Sequence, residues 1–213
     1  MEADFSIELG REDPVLDFPW RDPSGELAYV DLKRHPHLLS EIPEAQQFSE
    51  LAECLRQLNS PKSILETAKC DAWRTTDLNA EEEVYGATHK VAAYIDAVFT
   101  KTVTTNAVTK NSVPTRNDDR ESFPAHEQFA KKLVDLLRRA PETPSSLEVC
   151  VRRCFFSEDL TVSAESVREG FYFTLYVSGY GDDSTARQNW EVGLKLLGNA
   201  IMQLSAVAHA NGD

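Results

Sequence analysis

The chain has 213 residues, of which 41% are hydrophobic and 27% are charged, so it is long and apolar enough to bury a core. Its net charge of −13 disfavours nucleic acid and anionic membranes as partners, because proteins that bind them neutralise phosphates with basic patches. No apolar run reaches the roughly 18 residues of a membrane-spanning helix, and the start of the sequence lacks the features of a secretory signal. These properties predict a soluble, cytoplasmic protein with neither nucleic-acid nor membrane partners.

Residues 1–41 are predicted to form an irregular N-terminal segment of a single 1–213 domain. Alternating apolar residues favour short strands at 5–9 and 26–32. Between these strands, three X-Pro pairs favour extended or turn backbone.

Residues 42–100 are predicted to form a first helix–strand–strand unit. Apolar spacing on one face favours a helix over 43–58. Alternation favours strands over 63–75 and 88–100. In the first strand, one side is predicted to carry Ala68, Cys70 and Ala72.

Residues 101–122 are rich in Thr, Asn and Asp and are predicted to form a flexible linker. Residues 123–208 are predicted to form a second unit followed by a C-terminal helix. Its first helix is predicted over 123–140, with Ser122 as the N-cap. Its strands are predicted over 146–156 and 170–179.

The C-terminal helix is predicted over 184–208, where large apolar residues recur at spacings of three and four. Gly193 and Gly198 lower helix propensity, so we expect them to allow close approach to a neighbouring element. A Gly-Asp-Asp string ending at Asp183 resembles the metal-binding string of palm-type polymerases. Because a strong helix follows it, Asp182 and Asp183 are better explained as helix cap and dipole partners.

The two units show matching positions. Each helix begins with a proline at its first turn, and Phe48 and Phe129 follow those prolines at identical spacing. Two proline-initiated helices could share this spacing without common ancestry, so duplication of the helix–strand–strand unit stays one of two explanations. The element order predicts an α+β fold in which helices pack on one face of an antiparallel sheet of at least four strands.

The opposite face of this sheet is where we expect a function. Alternation sends apolar residues toward the helices and sends aromatic and charged residues outward. The candidate ligand or interface residues on this outer face are Lys69, Trp73, Tyr94, Asp96, Arg152, Tyr172 and Tyr176. Three explanations compete: a solvated face held by cross-strand pairs, a homodimer or partner interface, and a small-molecule cleft.

No catalytic residue, cofactor or metal site is predicted. Gly-rich phosphate loops are absent, and His126 lies in the first turn of a helix, where we expect it to be neutral. The four cysteines, Cys54, Cys70, Cys150 and Cys154, lack metal-site spacing and are predicted to be reduced thiols, mostly buried. The leading hypothesis is a non-enzymatic, self-associating or partner-binding protein that uses the outer face. The alternative is a small-molecule-binding protein or enzyme with a pocket on that face.

Overall fold

The computed structural model describes residues 1–78, 86–100, 119–157 and 167–210. The strands in these residues are β1 (Glu2–Glu8), β2 (Leu16–Phe18), β3 (Leu65–Thr75), β4 (His89–Phe99), β5 (Ser145–Ser157) and β6 (Val167–Gly181). The α-helices are α1 (Pro43–Gln47), α2 (Ser49–Leu58), α3 (Phe123–Arg138) and α4 (Asp183–Ala210). Short 3-10 helices span Pro36–Glu41 and Asp119–Glu121.

The strands form one sheet in the order β1-β5-β6-β4-β3, and β2 pairs with β5 beyond the end of β1. The fold is therefore α+β, as predicted. The predicted antiparallel sheet is corrected to a mixed one, because β1 and β2 both run parallel to β5. Alternation shows that a strand is half-buried, but it does not determine the direction of its partner. Whether the two units arose by duplication stays a prediction.

Two local predictions need correction. The strand predicted at 26–32 is an isolated bridge between Arg21 and Ala28. The helix predicted over 43–58 is divided by extended backbone at Phe48, with φ −125° and ψ 97°. Most of the predicted linker, 101–118, lies outside the described residues. After it, Asp119–Glu121 form a 3-10 helix. There the buried Arg120 donates from Nε to the Phe99 carbonyl at 2.6 Å.

The helices pack on one face of the sheet and bury the main core against it. The inward-facing strand residues are those that alternation predicts, namely Val91, Ala93, Ile95, Ala97, Phe99, Phe173, Leu175 and Val177, with Phe171 half-buried beside them. The close approach predicted at two glycines of α4 is confirmed. A Cβ added at Gly193 would lie 3.1 Å from Val177, and one added at Gly198 would lie 2.2 Å from the Gln57 side chain of α2. Within the described residues, no helix has the length and apolar character needed to cross a membrane.

The N-terminal segment crosses the outer face of the sheet and buries part of it. A second apolar cluster forms there from Leu16, Phe18, Ala68, Val98, Cys154, Phe156 and Tyr172, with Trp20 and Tyr29 packed against it. The outer face is thus divided into a covered half, at this cluster, and an open half. The open half lies around Tyr94 and Tyr176.

Candidate functional site

Three aromatic side chains cross the open half from strand to strand. Trp73 of β3, Tyr94 of β4 and Tyr176 of β6 form this aromatic row. The ring centroids of Trp73 and Tyr94 are 6.5 Å apart, and those of Tyr94 and Tyr176 are 6.2 Å apart. Tyr94 and Tyr176 face each other directly in the antiparallel ladder, so cross-strand packing holds both rings in place.

Exposed carboxylates border the aromatic row at both ends. Asp71 lies opposite Tyr94 on the β3 side. Glu148 lies opposite Tyr176 on the β5 side, and Asp4 pairs with Glu148 in the parallel β1–β5 ladder. All three acidic residues are exposed. The open half therefore combines an aromatic centre with an acidic border.

Two lysines lie among these groups. The Lys69 ammonium is 5.6 Å from the Trp20 ring centroid and 5.7 Å from that of Tyr94. The Lys90 ammonium is 5.8 Å from the ring of Tyr180. Both ammonium groups lie at cation–π distance, so part of the positive charge on this face is engaged within the chain itself.

A largely buried polar chain runs beside the row on the same face of the sheet, from the half-buried Glu8 through Arg152 and Thr174 to Asp96. Arg152 Nε donates to the Glu8 carboxylate at 2.7 Å. Its Nη1 donates to the Thr174 hydroxyl at 2.9 Å and to the Tyr176 hydroxyl at 3.3 Å. The Thr174 hydroxyl donates in turn to Asp96 Oδ1 at 2.7 Å. Through its bond from Arg152, this chain holds the Tyr176 hydroxyl in position.

Asp96 has the most perturbed carboxyl of the site. Its side chain is 7% exposed, and burial raises its pKa from 3.8 to about 6. The bond from Thr174 and the charges of Lys69 and Arg152 lower that pKa but do not cancel the effect of burial. At neutral pH the site therefore holds a buried carboxylate whose charge is only partly compensated.

Glu8 shows the opposite balance. Burial alone would raise the pKa of Glu8, but its hydrogen bond with Arg152 and the charge of that residue outweigh burial and lower the pKa. Both side chains of the Glu8–Arg152 pair are therefore ionised, and their opposite charges cancel.

The structure places the predicted residues in two groups. Six of them lie on or directly beneath the open half, and these are Lys69, Trp73, Tyr94, Asp96, Arg152 and Tyr176. Tyr172 instead lies under the N-terminal segment, where it is 3% exposed. The prediction that Ala68 shares a side of β3 with Cys70 and Ala72 is wrong, because a β-bulge between Thr67 and Lys69 turns Ala68 to the outer face.

Sequence reasoning did not single out Glu8 and Thr174. The alternation of β6 places Thr174 on the same face as Tyr176. Its position could therefore be predicted, but its hydrogen bonds to both Arg152 and Asp96 could not. Glu8 reaches Arg152 only because β1 pairs in parallel with β5. Nothing in the local sequence around Glu8 indicates that pairing.

Cys150 lies beside two carboxylates. Its Sγ and the carboxylate oxygens of Glu8 and Glu148 lie within 4.8 Å of one another. However, Glu8 is engaged by Arg152, and the Ser6 hydroxyl donates to Sγ at 3.3 Å. Burial raises the pKa of the Cys150 thiol to about 12, so the thiol is protonated at neutral pH. We therefore assign no metal to this group.

All four cysteines are free thiols, as predicted, and three of them are buried. Burial raises the pKa of Cys54 and of Cys70 to about 12, and it raises that of Cys154 as well. Because the thiolate is the nucleophilic form, these thiols are poorly suited to covalent catalysis at neutral pH.

Two residues from the motif analysis have structural roles. Asp182 caps α4, because its Oδ1 accepts from the backbone N–H groups of Ser184 at 3.0 Å and Thr185 at 2.8 Å. This confirms the prediction for the Gly-Asp-Asp string. His126 is fully buried, and burial lowers its pKa to about 4. It is therefore neutral, as predicted.

Two cavities lie away from the aromatic row. One, of about 240 Å³, lies between α2 and α4 and is lined by residues that include Glu50, Cys54 and Lys195. The other, of about 360 Å³, lies at the Thr75 end of β3, beside His89 and the start of α4. Neither cavity includes a predicted site residue.

No known protein family, curated protein or solved structure matches this chain.

Proposed function

We propose that this chain is a non-enzymatic protein-binding module that holds a basic segment of its partner on the open half of the outer sheet face. The observation that carries the proposal is the aromatic row of Trp73, Tyr94 and Tyr176, with exposed carboxylates at both ends. No described helix covers this row, because the helices pack on the other face. Among the described residues, Trp73 is 36% exposed and both tyrosines are half-buried, so a partner can reach the row.

The chemistry of the row suits arginine and lysine side chains. Guanidinium and ammonium groups are attracted to the faces of Trp and Tyr rings. Asp71 and Glu148 offer carboxylates at the border of the row. Tyr and Trp are also enriched in the centres of protein interfaces. The partly compensated Asp96 carboxylate adds negative potential beside Tyr94. The net charge of −13 would speed the approach of a basic partner.

A second copy of the chain fits this face less well. In a two-fold interface, each surface meets itself. With the axis along the row, Asp71 would face Asp71 of the second copy. With the axis across the row, Asp71 would face Glu148. Both arrangements place like charges together, so the self-association predicted for this face is an outcome that the experiment distinguishes.

A small-molecule pocket on the same face is the second candidate. The raised pKa of Asp96 and its link to Arg152 through Thr174 favour it. Its support is weaker, because the two cavities described above lie elsewhere. Thermal-shift screening against metabolites would test it, since a ligand of the folded state raises the melting temperature.

The four free thiols support a reducing compartment such as the cytoplasm as the place of action. The protonated state of these thiols and the neutral His126 support a role without catalysis.

The proposal is tested by titrating the chain with a fluorescent nona-arginine peptide at low salt. We expect Tyr94→Ser/Tyr176→Ser to weaken binding about tenfold or more. We expect Asp71→Asn/Glu148→Gln to weaken it about fivefold. The matched control is Glu53→Gln/Glu127→Gln, which removes the same charge from the helical layer.

If both acid-removing variants weaken binding equally, the peptide is responding to net charge and the assigned face is wrong. If the tyrosine variant binds as the wild type does, the aromatic row has no role. A wild-type chain that dimerises through Tyr94 and Tyr176 and ignores the peptide would replace the proposed partner with a second copy.

A further inference from the structure

β3 is an edge strand of the described sheet, because it pairs with β4 on one side and no described strand pairs with its other side. Side chains of the same chain occupy the first half of that free edge. The Lys33 ammonium donates to the Leu65 carbonyl at 2.6 Å. The Trp20 indole donates to the Ala68 carbonyl at 2.5 Å. The chain thus closes its own edge up to the bulge.

The second half of the edge is different. Beyond the bulge, Lys69 pairs with Asp96, and alternation then turns the backbone N–H and C=O groups of every second residue away from β4. These residues are Cys70, Ala72 and Arg74. The Ala72 N–H bonds only to the neighbouring Asp71 carboxylate, at 2.7 Å. Among the described residues, no strand accepts or donates at these outward groups.

The same stretch carries a net positive charge, although the chain as a whole is acidic. Lys69–Thr75 contains two cationic residues and one acidic residue, within a chain of net charge −13. A contact between two copies is opposed by their mutual repulsion. That repulsion is weakest where the local sequence is not acidic, so this edge is better suited to self-contact than the acidic border of the aromatic row.

Pairing of two such edges about Ala72 is also complementary in charge. With Ala72 opposite Ala72 of the second copy, Cys70 lies opposite Arg74. Glu44 belongs to α1, which contacts β3, and its carboxylate contributes after burial to the raised pKa of the Cys70 thiol. Arg74 is exposed and points to the helix side, as Cys70 does, and its guanidinium lies 5.9 Å from the Phe48 ring centroid of the same chain. The register therefore brings the Arg74 side chain of each copy toward Glu44 of the other.

We propose that the chain forms a homodimer in which the second halves of two β3 strands pair antiparallel about Ala72, so that the two sheets become one. About six backbone hydrogen bonds would form across the axis, flanked by two symmetric Glu44–Arg74 ion pairs. The outer faces of both copies then lie on the same side of the joined sheet. The inference does not rest on the proposed function, because it concerns the edge of the sheet and not its face.

The dimer is tested by sedimentation equilibrium of the full chain between about 1 and about 200 µM. Because paired strand edges form a small interface, we expect a dissociation constant on the order of 10 µM. Arg74→Glu should weaken dimerisation about tenfold or more, and so should Glu44→Arg. The double variant Glu44→Arg/Arg74→Glu should restore it, because the charges are exchanged. Arg56→Glu is the matched control, since Arg56 lies on α2 and its side chain is 57% exposed.

Three results would overturn the proposal: a monomer over the whole concentration range, an Arg74→Glu variant that dimerises as the wild type does, or a double variant that fails to recover. The recovery is informative because a variant that merely misfolds would not be repaired by a second charge reversal.

A cross-linking measurement tests the register. In a hydrogen-bonded antiparallel pair the Cα atoms lie about 5.5 Å apart, within disulfide range. In a Cys70→Ser background, Ala72→Cys should therefore give a disulfide-linked dimer on mild oxidation, and Arg56→Cys should not. Equal cross-linking of the two variants, or none at position 72, would overturn the register and with it the proposed dimer.

Discussion

Replacing Asp96 by asparagine removes the buried charge of the site and keeps an oxygen that can accept from Thr174. The pKa of Asp96 is raised from 3.8 to about 6. At about 1.36 kcal/mol per pKa unit, this difference corresponds to about 3 kcal/mol. Because the folded-state pKa is the higher one, the stability that Asp96 contributes is fully present below pH 3.8 and is lost as the pH rises through about 6. Solvent screens this charge little, because Asp96 is 7% exposed.

We therefore expect Asp96→Asn to be more stable than the wild type by up to about 3 kcal/mol above pH 7, and to lose this advantage below about pH 4. Urea unfolding of both proteins at closely spaced pH values measures the difference directly. Asp71→Asn, an exposed neighbour on β3, is the control and should change stability by less than about 0.5 kcal/mol. An Asp96→Asn variant that is less stable at pH 8 than the wild type would refute the reasoning, and so would a difference that does not depend on pH.

Three further predictions concern the residues that support the site and its sheet. Burial lowers the pKa of His126 from 6.5 to about 4, so the stability that the neutral ring contributes is lost as the pH falls between these values. Relative to the wild type, the free energy of unfolding of His126→Phe should therefore rise by about 3 kcal/mol between pH 7 and pH 4 in urea unfolding; an equal difference at both pH values would contradict this. Arg152→Met leaves the Glu8 carboxylate without its partner and should lower the free energy of unfolding by about 2 kcal/mol at pH 7, and Arg152→Lys should lower it by less. An unchanged free energy of unfolding in the methionine variant would show that the Glu8–Arg152 pair does not stabilise the fold. A Cβ at Gly179 would lie 2.1 Å from the backbone nitrogen of Trp190, so Gly179→Ala should cost about 2 kcal/mol or more in thermal unfolding; an unchanged melting temperature would contradict the close packing of α4 on β6.

The faces of the central strands were readable from the sequence. Ile95 and Leu175 point to the helices, and Tyr94 and Tyr176 point away, as period-two spacing predicts. The spacing is reliable here because both strands lie in the middle of the sheet, where one face is fully buried. A shift by one residue would have exposed the whole apolar set.

The outer boundary of the site was not readable in the same way. Glu8 belongs to the buried polar chain only through parallel pairing with a strand that lies far along the sequence. The covered half depends on where an irregular segment crosses the sheet, and no periodic pattern describes that path. Leu16, Phe18 and Tyr29 did offer a signal, because large apolar residues in a non-helical segment need a surface on which to be buried. Tyr172 is part of the surface that they cover.

The indole resonances of the three tryptophans offer the most direct measurement of whether a basic segment binds at the aromatic row. Trp73 belongs to the row, Trp190 is fully buried in the core, and Trp20 packs on the covered half. In an NMR titration with nona-arginine, the account predicts that the Trp73 indole N–H signal shifts with saturation while that of the buried Trp190 stays in place. Saturable binding with an unmoved Trp73 signal would contradict it.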